Sequence, residues 1–131
     1  MNLETHITFD DVLLVPQYSD IKSRTEVTLA SEMSEGVELR VPIISAPMDT
    51  VCGRLMAERM AEFGALGIVH RYNTIEKQAN IVSQASEAGA KNIGAAIGIT
   101  GDYLERAAAL VEAGVKVLCL DVAHGDHILM H

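Results

Sequence analysis

An α/β fold built on a parallel sheet is predicted by three observations. The phrase Glu-X-Gly recurs at Glu62-Phe-Gly64, Glu87-Ala-Gly89 and Glu112-Ala-Gly114, with one constant spacing between the copies. Each glycine follows an amphipathic helical stretch, and each precedes an apolar run: Leu66-Gly-Ile-Val69, Ile93-Gly-Ala-Ala96 and Val117-Leu-Cys-Leu120. Helix, glycine just past the last turn, then an uninterrupted apolar strand is the pattern of βα units, because a strand covered on both faces shows no polar alternation.

Residues 1–41 read as an extended lead-in with short strands. Thr8-Phe-Asp-Asp-Val-Leu-Leu-Val15 is followed by a turn over Pro16 to Ser19, then by two extended candidates, Glu26 to Leu29 and Val37 to Val41, which could pair as a hairpin. Regular alternation begins at Pro42. There Ile43-Ile-Ser-Ala46 reads as a first buried strand ending in Pro47-Met-Asp-Thr50.

The first helix, near Gly53 to Glu62, carries Met56, Met60 and Phe63 at i, i+4 and i+7, which predicts a core-facing stripe. The second opens at Asn73-Thr-Ile-Glu76, a cap residue followed three later by Glu, and carries Ile75, Ala79 and Val82. The third repeats the device with Asp102-Tyr-Leu-Glu105 and carries Leu104, Ala108 and Val111. A fourth helix begins near Asp126 and is cut off by the end of the sequence. Residues 42–131 thus hold four strands and three complete helices. Four such units could make a small open sheet, but their size is that of a (β/α)₈ barrel, which needs at least about 200 residues. The expectation is the first half of such a barrel, truncated in its fourth helix, with two apolar strand edges left unpaired.

Bulk composition narrows the classes of partner. With 131 residues, 49% hydrophobic and 21% charged, the chain can bury one core and form one domain. A formal net charge of −8 with no Lys/Arg cluster excludes a nucleic-acid or anionic-membrane surface and leaves small molecules as the expected partners. No apolar stretch approaches the ~20 residues of a membrane span, and Met-Asn-Leu-Glu-Thr-His lacks the basic and apolar regions of a signal peptide, so a cytoplasmic location is expected. Cys52 follows one apolar run and Cys119 lies inside another, a placement that fits buried reduced thiols better than a disulfide framework.

Parallel α/β sheets carry their chemistry where the strands end. The residues just past the four strands are Met48, Asp49 and Thr50; His70 and Arg71; Thr100 and Asp102; and Asp121 and His124. Asp121 is the sharpest candidate, since a carboxylate at a strand end can accept hydrogen bonds from a ribose or an amide. Arg71 offers a cationic head suited to a phosphate, although an arginine on such a loop is also often solvated. Thr100 and Asp102 read first as helix caps. His127 and His131 stand at i, i+4, a fragment of a metal pattern that is too partial to assign a zinc site.

Four motifs, Phe9-Asp-Asp-Val-Leu-Leu-Val-Pro16, Pro42-Ile-Ile-Ser-Ala-Pro-Met-Asp-Thr-Val51, Gly94-Ala-Ala-Ile-Gly-Ile-Thr-Gly-Asp102 and Leu120-Asp-Val-Ala-His-Gly125, occur in one order. In them the chain resembles the IMP dehydrogenase and GMP reductase family over nearly its whole length. The resemblance implies a (β/α)₈ barrel, a homotetramer, and hydride transfer at C2 of a purine nucleotide. The dehydrogenase oxidises IMP to XMP with NAD, and the reductase converts GMP to IMP with NADPH, both through a covalent thioimidate on a cysteine. Carried over by motif, Ser45 and Met48 match the substrate-contacting segment, and Asp121, Val122 and Ala123 match the segment that contacts the nicotinamide nucleotide. Ser23 and Arg24 match a reductase segment that binds NADPH, with Arg71 where reductases carry a lysine.

The branch signals conflict. Lys22-Ser-Arg24, Asp121-Val-Ala123 and the short link between the second helix and the following strand resemble the reductase. Val15-Pro16, Gly94-Ala-Ala-Ile97 and His124 resemble the dehydrogenase, and the balance leans to reductase-type cofactor contacts. Neither Cys52 nor Cys119 falls at the family's nucleophile position. The phosphate-holding glycine loops and the monovalent-cation loop have no match here, so the isolated chain is expected to be inactive. The alternative expectation is a non-catalytic half-barrel that self-assembles or pairs with a complementary half and binds a dinucleotide, and an unrelated small α/β protein is the third.

Overall fold

The structure, a computed structural model, describes residues 4–131; Met1-Asn2-Leu3, part of the stretch read above as lacking a leader, lie outside the described residues. The lead-in begins with a 3₁₀ turn, Phe9–Asp11, where Thr8 and Asp11 cap each other. The extended candidate at Glu26 to Leu29 is not a strand. Ser23 accepts a hydrogen bond from the Thr25 amide and folds Arg24–Glu26 into a second 3₁₀ turn. A hairpin does form, from β1 (Ser31–Ser34) and β2 (Val37–Leu39), and it turns at Gly36 with φ of 78°.

Three helices alternate with three parallel strands: α1 (Arg54–Glu62), β3 (Gly67–Val69), α2 (Ile75–Glu87), β4 (Ile93–Ile97), α3 (Tyr103–Glu112) and β5 (Val117–Leu120). The repeated glycines do what their spacing predicts. Gly64, Gly89 and Gly114 have φ of 73°, 96° and 95°, and each amide donates to the carbonyl three residues back, on Ala61, Ser86 and Val111. The next amides, of Ala65, Ala90 and Val115, donate to Met60, Ala85 and Leu110 at 2.8, 3.1 and 3.0 Å. These are three copies of one Schellman turn.

The strand order is β3-β4-β5, each neighbour parallel to the last. One face of the sheet (Val69, Ile93, Ala95, Ile97) packs on the helices through Cys52, Ala57, Val82, Ala85 and Leu110. The opposite face, Leu66, Ile68 and Ala96, is covered by Leu39 of β2. Among the described residues no helix is long and apolar enough to cross a membrane.

Several expectations need correction. Ile43 to Ala46 is not a buried strand: it makes one parallel bridge, Ile44 to Leu66, and Ile43 and Ile44 stand about half exposed. Pro42 and Pro47 supply no amide donors at its two ends, and among the described residues no second strand pairs with it. β5 is likewise an edge strand, with Leu118 and Leu120 exposed and Cys119 only half-buried.

Met56 of α1 and Phe63 at its C-terminal cap are exposed, and the residue that faces the sheet is Ala57. A Cβ on Gly67 would lie 2.6 Å from the Ala57 Cα, so the helix lies too close to the strand for methionine to fit between them. In α3 the stripe Leu104, Ala108 and Val111 points outward, and the buried residues are Arg106 and Leu110. The cap of α2 is Thr74, not Asn73, accepting from the Lys77 amide. No α-helix starts at Asp126; the chain instead makes a 3₁₀ turn, Ile128–Met130, and His131 pairs with Asp126.

Candidate functional site at the strand ends

Three loops leave the C-terminal ends of β3, β4 and β5. Arg71, two residues past β3, donates from Nε to Asp121 Oδ2 at 3.0 Å and from Nη2 to the Asp121 carbonyl at 3.3 Å. Asp121 is the first residue past β5, and its amide donates to the carbonyl of Ile97, the last residue of β4. The ion pair therefore spans the width of the sheet above β4. Both side chains remain open to solvent, at 36% and 26%. The second carboxylate oxygen of Asp121 has no partner among the described residues, so it is free to accept a hydroxyl.

Tyr72 extends the same surface. The Arg71 guanidinium carbon lies 5.5 Å from its ring centre, and the His70 ring stacks on it at 6.4 Å. His70 Nδ1 and both polar ends of the Asn73 amide are buried without a hydrogen-bond partner among the described residues. One loop thus presents a cation and an aromatic face, groups that suit a nucleotide's phosphate and base, while its three unpartnered polar atoms lie beneath that surface.

Val122 is half-buried and Ala123 exposed beside Asp121. Ser45 spends its hydroxyl on the fold, accepting from the Ile68 amide at 3.0 Å, while Met48 is half exposed on the preceding loop. Ser23 and Arg24 sit on the exposed 3₁₀ turn of the lead-in, and among the described residues no hydrogen bond or ion pair joins them to Arg71 or Asp121. Asp102 caps nothing with its side chain. Its carboxylate instead accepts two hydrogen bonds from Arg106, which hold it below the usual carboxylate range.

The two free thiols are Cys52, buried, and Cys119, half-buried in β5. Burial beneath α1 pushes Cys52 up, and burial followed by the charge of Asp121 does the same for Cys119. Neither has the electropositive setting of an activated nucleophile. A groove of about 420 Å³ lies at the other end of the strands, among Arg40, Glu62 and the turn Gly89 to Asn92, away from the paired Arg71 and Asp121.

Comparison with known proteins decides the relationship. The profile of the IMP dehydrogenase / GMP reductase domain matches residues 6–130. The chain belongs to the IMP dehydrogenase / GMP reductase family. It is 43% identical over 102 residues to the inosine-5'-monophosphate dehydrogenase of Nitrosopumilus maritimus, covering 78% of this chain and 21% of that protein. To the inosine-5'-monophosphate dehydrogenase of Cryptosporidium parvum it is 34% identical over an alignment of 169 residues, 97% of this chain and 42% of the relative. A GMP reductase of Leishmania donovani is 42% identical over 82 residues, 63% of this chain and 17% of that enzyme. The chain therefore spans less than half the length of these family members. Relatives of both branches match it, as the mixed motifs predict.

Sequence reasoning passed over three residues of this region, Tyr72, Gln78 and Arg106, and read Asn73 only as a helix cap. Tyr72 gave no periodic signal. Gln78 did, since Gln78, Val82 and Ala85 share the i, i+4, i+7 spacing of a buried stripe, and so did Arg106 with Leu110 and Ala113. Polar residues on those stripes were legible as buried.

Proposed function

We propose that this chain is part of a purine-nucleotide oxidoreductase: residues 1–41 its lead-in, residues 42–131 the first four βα units of a (β/α)₈ barrel. In the complete enzyme, a homotetramer, hydride moves between C2 of IMP or GMP and NAD or NADP. The observation that carries this reading is the Arg71–Asp121 pair, which joins two loops at the active end of a parallel sheet and leaves a carboxylate oxygen free. Consecutive strand order supports the barrel, since an open doubly wound sheet reverses direction part-way across.

The residues present fit a dinucleotide. Asp121 holds ribose hydroxyls, Val122 and Ala123 line its backbone, and the Arg71 fork suits a phosphate, with Ser23 and Arg24 contributing to NADPH in a reductase-type arrangement. The nicotinamide supplies the two-electron acceptor or donor. Ser45 and Met48 serve the purine side. Every one of these groups binds or orients, and with both thiols buried or in a strand the isolated chain forms no covalent bond to a purine and is inactive.

The test is to follow the reading frame past the codon for His131 and assay its product with IMP and NAD, and with GMP and NADPH. Turnover of either pair, with a cysteine in the loop after the sixth strand, is the expected result; a product active with neither overturns the proposal. The 131-residue chain itself is expected to bind neither IMP nor GMP tightly, and a micromolar Kd by calorimetry would sink that part of the proposal.

A further inference from the structure

β3 pairs with β4 only as far as Val69 and Ala95, while β4 runs on to Ile97, so carbonyls at this end lie beyond the β3–β4 ladder. Gln78 of α2, fully buried, fills the gap. Its Nε2 donates to Ala96 O of β4 at 2.8 Å and to Val69 O of β3 at 3.3 Å, and its Oε1 accepts from Arg106 Nη1 at 2.8 Å. Arg106 of α3, 7% exposed, reaches onward to Asn73 O at 3.2 Å and to both oxygens of Asp102 at 3.3 and 2.6 Å.

These contacts fall at four particular places. Val69 and Asn73 are the start and finish of the loop that carries His70 and Arg71, while Ala96 and Asp102 bracket the loop between β4 and α3. We infer that Gln78 and Arg106 form a buried positioning clamp that fixes the 70–73 loop, and with it the Arg71 guanidinium, against Asp121. A buried guanidinium is costly unless its donors are met, and here Asp102 supplies the charge while neutral acceptors take the remaining directions. A shift of either loop would leave a buried donor of the pair unmet. The clamp itself follows from these contacts; its value for nucleotide binding rests on the function proposed above.

Hydrogen exchange on the 131-residue chain tests it with no nucleotide present, so failure here and failure of the oxidoreductase assay are separate results. The reporters are the Arg71 Nε proton, the His70 amide bonded to Cys52 O and the Asp121 amide bonded to Ile97 O. The control is the Lys116 amide bonded to Ile93 O at the far end of the same sheet. Arg106→Lys keeps the charge but loses the planar fork, and the milder Asp102→Asn removes only the exposed anchor. Arg106→Lys is expected to speed exchange at the three reporters by about tenfold relative to Lys116, and Asp102→Asn by a few-fold. Unchanged reporters, or the same acceleration at Lys116, overturn the clamp, because a residue that merely stabilises the fold moves all four sites together.

Discussion

Gly67→Ala puts one methyl group where β3 and α1 meet most closely. Its Cβ would lie 2.6 Å from the Ala57 Cα, 3.2 Å from the Ala57 Cβ and 3.4 Å from Cys52 Sγ. Carbon atoms rest at about 3.5–4.0 Å, so α1 must retreat by roughly 1 Å, and a gap of that size forfeits a quarter to a half of each contact along the seam. Overpacking of this kind costs about 1–3 kcal/mol, and the upper end applies because the obstacle is backbone that cannot rotate away. Restricting the unfolded chain returns about 0.4–1 kcal/mol. The net expectation is a loss of about 2 kcal/mol, or roughly thirtyfold in the ratio of folded to unfolded chain. Urea denaturation followed by circular dichroism measures it, with an unchanged m value. Gly94→Ala is the internal control: its nearest neighbour is the terminal Cδ1 of Ile68, which can turn aside, so its cost stays below about 1 kcal/mol. Adding Ala57→Gly to Gly67→Ala should not rescue, since the Ala57 Cα remains and a mid-helix glycine costs about 1 kcal/mol more. A Gly67→Ala chain within about 0.5 kcal/mol of the parent, or one rescued by Ala57→Gly, refutes the packing argument.

Other consequences follow from charge and access. Cys119, on the edge strand, should react with a maleimide before the fully buried Cys52, both slowly at about pH 8 because each pKa is raised; equal labelling of the native thiols would contradict the placement of β5. The depressed pKa of Asp102 gives stability that is complete above its ordinary value of 3.8 and fades as pH falls through the lower folded value. Asp102→Asn should therefore be less stable than the parent near neutrality and converge with it in strong acid, and a gap independent of pH on acid titration would rule this out. The Arg71–Asp121 pair is partly solvated, so Asp121→Asn should cost no more than about 1 kcal/mol in thermal unfolding; a loss of several would make the pair a structural strut rather than a binding surface.

Much of this fold was legible because it rests on backbone chemistry. The left-handed turn at each of Gly64, Gly89 and Gly114 demands glycine, and the buried strands β3 and β4 demand apolar runs, so both left marks in the sequence. Helix faces were harder. α3 has two stripes, and hydrophobicity alone selected Leu104 and Val111 over the true inner residues, because the inner stripe carries Arg106 in place of an aliphatic. Met56 misled for the converse reason: the close approach of α1 to Gly67 rewards small residues. At the site, Asp121 and Arg71 were visible one by one from their positions past the strands. Their pairing was not, since contact across fifty residues of chain has no local signature. The role of Gln78 was invisible for the same reason, as its acceptors are carbonyls that exist in every sequence.

The two ends of the sheet are secured by different materials. At the end where strands begin, three identical turns are closed by main-chain groups, and most side chains there are interchangeable provided the glycine stays. Where strands finish, the closure is made by particular side chains, each used once. Substitution can therefore rewrite one rim while the other continues to hold the chain together. Selection for a new ligand therefore acts on the rim where strands finish, while the glycine-closed rim holds the fold, so divergence between relatives should concentrate on the rim that carries Arg71 and Asp121.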